Sequence, residues 1–158
     1  MFMQKILWIF LFFTPFVAQA ETIVCNVVGV FDGDTFKCLT KNKVEEVIRL
    51  KGIDAPEKKQ PFGNKAKKQL SNLIFGKDVL VNYSEEDIYK RLVGDVLFEG
   101  RLINQDMVAS GYAWVFRKYN RDKKYLEIEA EARKNHLGIW SQKNPTYPSK
   151  FRRSTRKY

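Results

Sequence analysis

The chain has 158 residues, with 28 Lys and Arg against 18 Asp and Glu, for a formal charge of +10. That length is enough for one domain with a hydrophobic core. The charge favours a polyanionic partner, and nucleic acid, anionic lipid and cell-wall polymer all fit it. Two cysteines and one histidine, His136, are too few for structural zinc, which takes four ligands.

Residues 1–20 have the form of a signal peptide. Lys5 supplies the positive start, Ile6 to Phe13 form an apolar run, and Ala18-Gln19-Ala20 is a small-x-small cleavage site, so the cut is expected after Ala20. An uncleaved anchor is the alternative, but even stretched to Val17 the apolar segment is short of the ~20 residues a spanning helix needs. Lys5 is the segment's one charge, so the remainder carries +9. The protein is expected to be exported, periplasmic or extracellular, with no stable membrane insertion after cleavage.

Ile23–Phe31 is rich in Val and Ile and reads as a strand, Asp32-Gly33 as a tight turn, and Thr35–Leu39 as the returning strand. That turn sets Cys38 opposite Val27 and leaves Cys25 on the diagonal. Export favours a Cys25–Cys38 disulfide, and the diagonal demands a bulge or a shifted turn to bring the two together. The other outcome is two buried thiols packing as small hydrophobes.

Val44–Ile53 is a third strand, in which Ile48 and Leu50 face one way and Arg49 and Lys51 the other. Pro56 breaks it into the loop Asp54-Ala55-Pro56-Glu57. Asn64–Phe75 has helical spacing and ends at Gly76. Asp78–Tyr83 and Leu92–Phe98 are the fourth and fifth strands. Asn104 is placed to cap a short helix ending at Gly111. Lys123–His136 is a longer helix, with His136 near its C-terminus, where it suits the dipole. The predicted order, β-β-β-α-β-β-α-α, is that of an α+β, mostly β, five-stranded OB-fold barrel with three helices. We assign the barrel domain to residues 21–141 and a mobile basic tail to 142–158, which carries Lys150, Arg152, Arg153, Arg156 and Lys157.

Four stretches carry the chemistry: Asp32-Gly33-Asp34-Thr35; Arg49 followed by Asp54-Ala55-Pro56-Glu57; Asp87-Ile88-Tyr89-Lys90-Arg91; and Ala113-Trp114-Val115-Phe116. Phosphodiester hydrolysis needs a cation to offset charge on phosphorus, a base for the attacking water, and donors that hold the phosphate in line. Asp34 and Asp54 lie at strand ends, placed to converge across the barrel mouth as oxygen ligands for a hard cation such as Ca²⁺, with a backbone carbonyl beside Asp54 as a further ligand. Glu57 follows at a spacing suited to activating a metal-associated water. Arg49 and Arg91 carry the forked donors that suit phosphate. Each stretch alone is ordinary: an isolated D-G-D-T is a hairpin turn, D-A-P-E a loop, and a lone arginine a surface charge. Their joint order on these strands is far more specific.

In that order the sequence resembles the thermonuclease, or staphylococcal-type nuclease, family from about Val24 to Trp140, including the closing Gly138-Ile139-Trp140. The resemblance implies a calcium-dependent nuclease of DNA and RNA with little sequence specificity. It implies calcium ligands at Asp34, Asp54 and the Ala55 carbonyl, with Thr35 assisting through the metal's water shell. It also implies Glu57 as general base, Arg49 and Arg91 as phosphate clamps, and Tyr89 beside the nucleotide. Trp114 and Phe116 stand where some relatives use tyrosines against the nucleotide, and either substrate stacking or core packing accounts for them. Lys90 stands where many relatives have glycine, and the segment from Glu57 to Phe62 is shorter than in some. A monomer is expected. The competing functions are a non-catalytic nucleic-acid-binding OB-fold module, signalled by loss of Glu57 or an arginine, and an adhesin, which leaves the carboxylates and arginines unexplained.

Overall fold

The computed structural model describes residues 20–155. Of the segment expected to be a signal peptide, residues 1–20, all up to Gln19 lie outside the described residues. The strands are β1 (Glu21–Val30), β2 (Thr35–Thr40), β3 (Glu45–Leu50), β4 (Ile53–Asp54), β5 (Asp78–Glu86), β6 (Leu92–Phe98), β7 (Arg101–Leu102) and β8 (Trp114–Val115). The helices are α1 (Gly63–Ile74), α2 (Ile103–Ala109), α3 (Lys123–Lys134) and α4 (Pro148–Thr155), with a 3₁₀ turn at Gly138–Ser141. Among these residues no helix is long and apolar enough to cross a membrane.

Five long strands run in the order β3-β2-β1-β5-β6, and a parallel pairing of β3 with β6 closes them into a barrel. This is the expected OB-type barrel, with four helices where three were predicted. Alternation along β3 sends Ile48 and Leu50 into the core, each 0 % exposed, and turns Arg49 the other way, across from Thr35 of β2 and Val93 of β6. Phe36, Val27, Val81 and Val96 fill the same core, which Leu70 and Ile74 of α1 help to close. A second cluster joins Trp114, Ala132, Ile139 and Trp140.

Three predictions change on contact with the fold. The third strand breaks after Leu50 at a turn through Gly52 (φ 73°), so Asp54 sits on the separate strand β4, paired with Trp114 of β8. Asn104 caps no helix: α2 begins at Ile103, and the fully buried Asn104 amide accepts from Val96 N and donates to the Lys51 and Gly94 carbonyls. Residues 142–155 fold back onto the barrel. Gln60 Nε2 donates to the Thr146 carbonyl, Tyr147 Oη donates to the Val115 carbonyl at 2.9 Å, and α4 follows directly.

A disulfide joins Cys25 and Cys38. Cys38 pairs with Val27 as expected, and Cys25 with Thr40. The bulge falls between Val27 and Gly29, on the turn side, so it does not bring Cys25 opposite Cys38. The diagonal is instead short, with a Cα–Cα distance of 5.5 Å; the right-handed coil of a twisted strand pair draws one diagonal together. The closed loop spans 13 residues, so replacing both cysteines with alanine is expected to cost about 2–3 kcal/mol. Thermal melts of the double variant test this; an unchanged Tm contradicts it.

Candidate active site

One end of the barrel gathers the first three stretches and, from the fourth, Phe116. The hairpin turn carries Asp32 and Asp34, β3 delivers Arg49, the loop after β4 delivers Ala55 and Glu57, and the turn before β6 delivers Arg91. Two glycines make that convergence possible. A Cβ on Gly33 would stand 2.7 Å from the Cβ atoms of both Ala55 and Ala66, so only glycine lets the turn lie against α1 and the Asp54 loop. A Cβ on Gly63 would collide with the Glu57 carbonyl.

Asp34 is buried and fully engaged. Its Oδ1 accepts from Arg49 Nη1 at 2.6 Å and from Thr35 Oγ1 at 2.9 Å, and its Oδ2 accepts from the Ala55 amide at 2.9 Å. Asp54 is 0 % exposed and accepts from Arg49 Nη2 at 3.3 Å. Arg49 thus bridges the two aspartates. Burial acts to lower its pKa, but the charges of Asp34, Asp54 and Asp32 outweigh that and raise it. Arg91 donates from Nε to Asp87 Oδ2 at 2.8 Å, and its Nη1 lies 3.5 Å from Thr35 Oγ1. Asp87 also accepts from the Tyr89 and Arg91 amides, which fixes the turn. Lys90 takes the left-handed backbone there, φ 63°, so the residue that departs from the family's glycine keeps a conformation suited to glycine.

Asp32, Asp34, Arg49, Ala55, Glu57 and Arg91 line a cleft of about 650 Å³, together with Tyr89, Phe116, Tyr119 and Arg152, and the buried Asp54 is joined to it through Arg49 and Arg152. Tyr89 is exposed, with the Arg91 guanidinium 5.3 Å from its ring. Phe116 is half-buried at the cleft wall, edge-on to Tyr119 at 4.9 Å. Trp114 is not available to a ligand. It is 2 % exposed, 5.5 Å from both Trp140 and Tyr147, so core packing accounts for it and the substrate-contact assignment is withdrawn. Tyr119, at 66 % exposure, is the aromatic the sequence pattern did not single out.

In the sequence Arg152 reads only as one charge of the basic tail. In the fold its Nη1 lies 2.5 Å from Glu57 Oε1, and its Nη2 lies 3.2 Å from Asp54 Oδ2. Asp32 is the other addition: its Oδ1 accepts from the Asp34 amide at 3.0 Å.

The donor set suits a hard cation. Burial first, then the neighbouring charge of Asp34, raises the pKa of Asp54, against the pull of Arg152 and Arg49. The same two causes push Asp32 up to about 7. Three carboxylates are thus crowded together, with Arg49 and Arg152 the guanidiniums that touch them. No described residue donates to the carbonyl of the buried Ala55, which leaves that oxygen available. Among the described residues no group of three or more His, Cys, Asp or Glu side chains could hold a metal ion, so a cation here would rely on two aspartates, the Ala55 carbonyl and water.

Asp32 gives a pH prediction. A carboxyl whose pKa is raised by folding contributes stability below its unfolded value, here 3.8, and that contribution is lost as pH climbs through about 7. The metal-free protein is expected to lose stability across that window, and Asp32→Asn to flatten the slope while raising Tm above neutral pH. Parallel melting curves for the two proteins, measured across the window, would contradict the assignment.

Crowded aspartates, a glutamate paired with Arg152, and two forked cations gathered at one cleft define a phosphate-handling hydrolase class. The sequence profile of the family described as Staphylococcal nuclease homologue matches residues 47–142, more than half of the chain. The chain belongs to this family of nucleases. It is similar to a Haemophilus influenzae protein named an uncharacterized endonuclease, 41 % identical over 133 residues that cover 84 % of this chain and 75 % of the relative. An Escherichia coli O157:H7 protein of the same description is 38 % identical over 147 residues, covering 92 % and 95 %. A Shigella flexneri micrococcal nuclease is 39 % identical over 142 residues, covering 83 % and 81 %.

Proposed function

We propose that this protein is an exported, calcium-dependent endonuclease that hydrolyses phosphodiester bonds of DNA and RNA with little sequence specificity. The observation that carries it is the convergence of Asp34, Arg49, Glu57 and Arg91 on one cleft, with the buried Asp54 hydrogen-bonded to Arg49. Family membership and relatives named endonuclease and micrococcal nuclease support the same reaction. Asp34, Asp54 and the Ala55 carbonyl would hold calcium, with Thr35 reaching it through water. A bound calcium ion supplies charge neutralisation at the phosphate and acidifies water.

The chain's own groups do the rest. Glu57 has a partly exposed carboxylate facing the cleft and takes a proton from the attacking water. Arg49, rigidly held by two aspartates, presents its remaining donor surface to phosphate oxygens. Arg91, oriented by Asp87, does so beside it and stabilises the charge that builds on phosphorus. Tyr89, Phe116 and the neighbouring Tyr119 offer stacking faces that every base can use, which fits broad specificity. Export rests on the form of residues 1–20 and is consistent with the disulfide.

Incubation of purified residues 21–158 with plasmid, single-stranded DNA and RNA in calcium tests the function. All three are expected to be cut. Binding without cleavage would establish the non-catalytic module instead.

A further inference from the structure

We propose that Arg152 is a positioning residue that stands in for the cation on Asp54 and Glu57 and yields both carboxylates when calcium binds. This rests on the calcium-dependent function above. The guanidinium takes Asp54 Oδ2 at 3.2 Å, approaches Asp54 Oδ1 at 3.4 Å, and pairs with Glu57 Oε1. Asp54 is wholly buried, so its charge needs a partner at all times. Arg49 reaches only its Oδ1, which leaves Oδ2 to Arg152. A divalent cation on that oxygen and a guanidinium beside it repel each other, so the two compete for one seat.

The helix that carries Arg152 is built to let go. Pro148 is its one fully buried residue; Ser149, Phe151 and Arg152 are half-buried and the others are exposed. What secures the segment sits just ahead of it, in the Gln60–Thr146 and Tyr147–Val115 hydrogen bonds. Lifting α4 therefore sacrifices the ion pairs, the partial burial of Phe151 and one buried proline, but no residue of the main core. The consequence reaches the reaction: while Arg152 holds Glu57, the guanidinium occupies Oε1 and fixes the carboxylate's direction, so that oxygen is not open to an attacking water. Cation entry and release of the base become one event.

Calcium affinity without nucleotide tests this directly. Isothermal titration is run on wild type, Arg152→Gln, Arg152→Lys and the control Lys150→Gln, which removes an equal charge from the exposed side of α4. Arg152→Gln is expected to bind calcium on the order of fivefold to tenfold more tightly, with Arg152→Lys in between. Lys150→Gln is expected to stay within about twofold, its charge being screened. Hydrogen exchange on the wild-type chain gives a second readout that needs no variant: α4 amides should lose protection when calcium saturates. Equal or weaker calcium affinity in Arg152→Gln, or α4 protection unchanged by calcium, overturns the proposal. A wild type that cuts DNA with calcium but shows either result sinks the role of Arg152 alone. A wild type that neither binds calcium nor cuts sinks the calcium function itself, and this proposal with it.

Discussion

Glu57→Gln is expected to lower turnover by on the order of 10²–10⁴ while leaving the fold and calcium affinity intact. The two side chains are nearly isosteric, so the change removes the proton acceptor without opening space. The ion pair to Arg152 is lost, but both side chains are about a third exposed, at 37 % and 36 %, and a pair so placed contributes little to stability. The Tm should therefore stay close to wild type. Calcium affinity should be no weaker, because Glu57 is not among the groups assigned to hold the ion. Steady-state kinetics and melting curves together decide it. A variant with wild-type kcat removes Glu57 from the mechanism, and one that loses activity by unfolding leaves a lowered Tm as its mark.

Arg49→Lys is expected to be nearly as damaging, with a loss on the order of 10²–10³ in kcat, the scale for removing one well-placed donor. Its two terminal nitrogens serve different carboxylates, Nη1 on Asp34 and Nη2 on Asp54. A lysine ammonium is a single point and cannot span both while facing a phosphate. Part of the effect should appear as lower stability, since Asp54 would then depend on Arg152 alone. Arg91→Lys should lose a similar factor without the stability cost, because its partner Asp87 sits on a surface turn and is served by two backbone amides. Measuring kcat and Tm on both variants separates the cases. Wild-type turnover in either would remove that arginine from the mechanism.

How much of this could be read from the sequence depends on how local each signal is. The alternation Ile48-Arg49-Leu50 places Arg49 opposite the core because a strand has a period of two, and the fold agrees. Asp34, Asp54, Glu57 and Arg91 are each fixed by a turn or loop within a few residues, so their meeting at one barrel end follows from the strand order. The same logic fails where a strand stops early. Trp114 and Phe116 share a parity that puts both on one face, but β8 ends at Val115 and the chain turns as the Phe116 amide donates to the Gly52 carbonyl. Phe116 then reaches the cleft and Trp114 the core. Asn104 has the look of a helix cap because its true partners, Val96, Lys51 and Gly94, come from other elements. Arg152 was the hardest to foresee. It meets Glu57 across 95 residues, and no local pattern distinguishes it from Arg153 beside it.

The central claim is that this cleft cuts nucleic acid with calcium held on Asp34 and Asp54. The most direct test is the initial rate of plasmid cleavage by the purified chain as calcium is removed with a chelator and then restored. Activity should vanish with the chelator and return with calcium. Magnesium should restore little of it, since that ion demands tight octahedral geometry and holds its waters. Undiminished cleavage in excess chelator would contradict the calcium assignment outright.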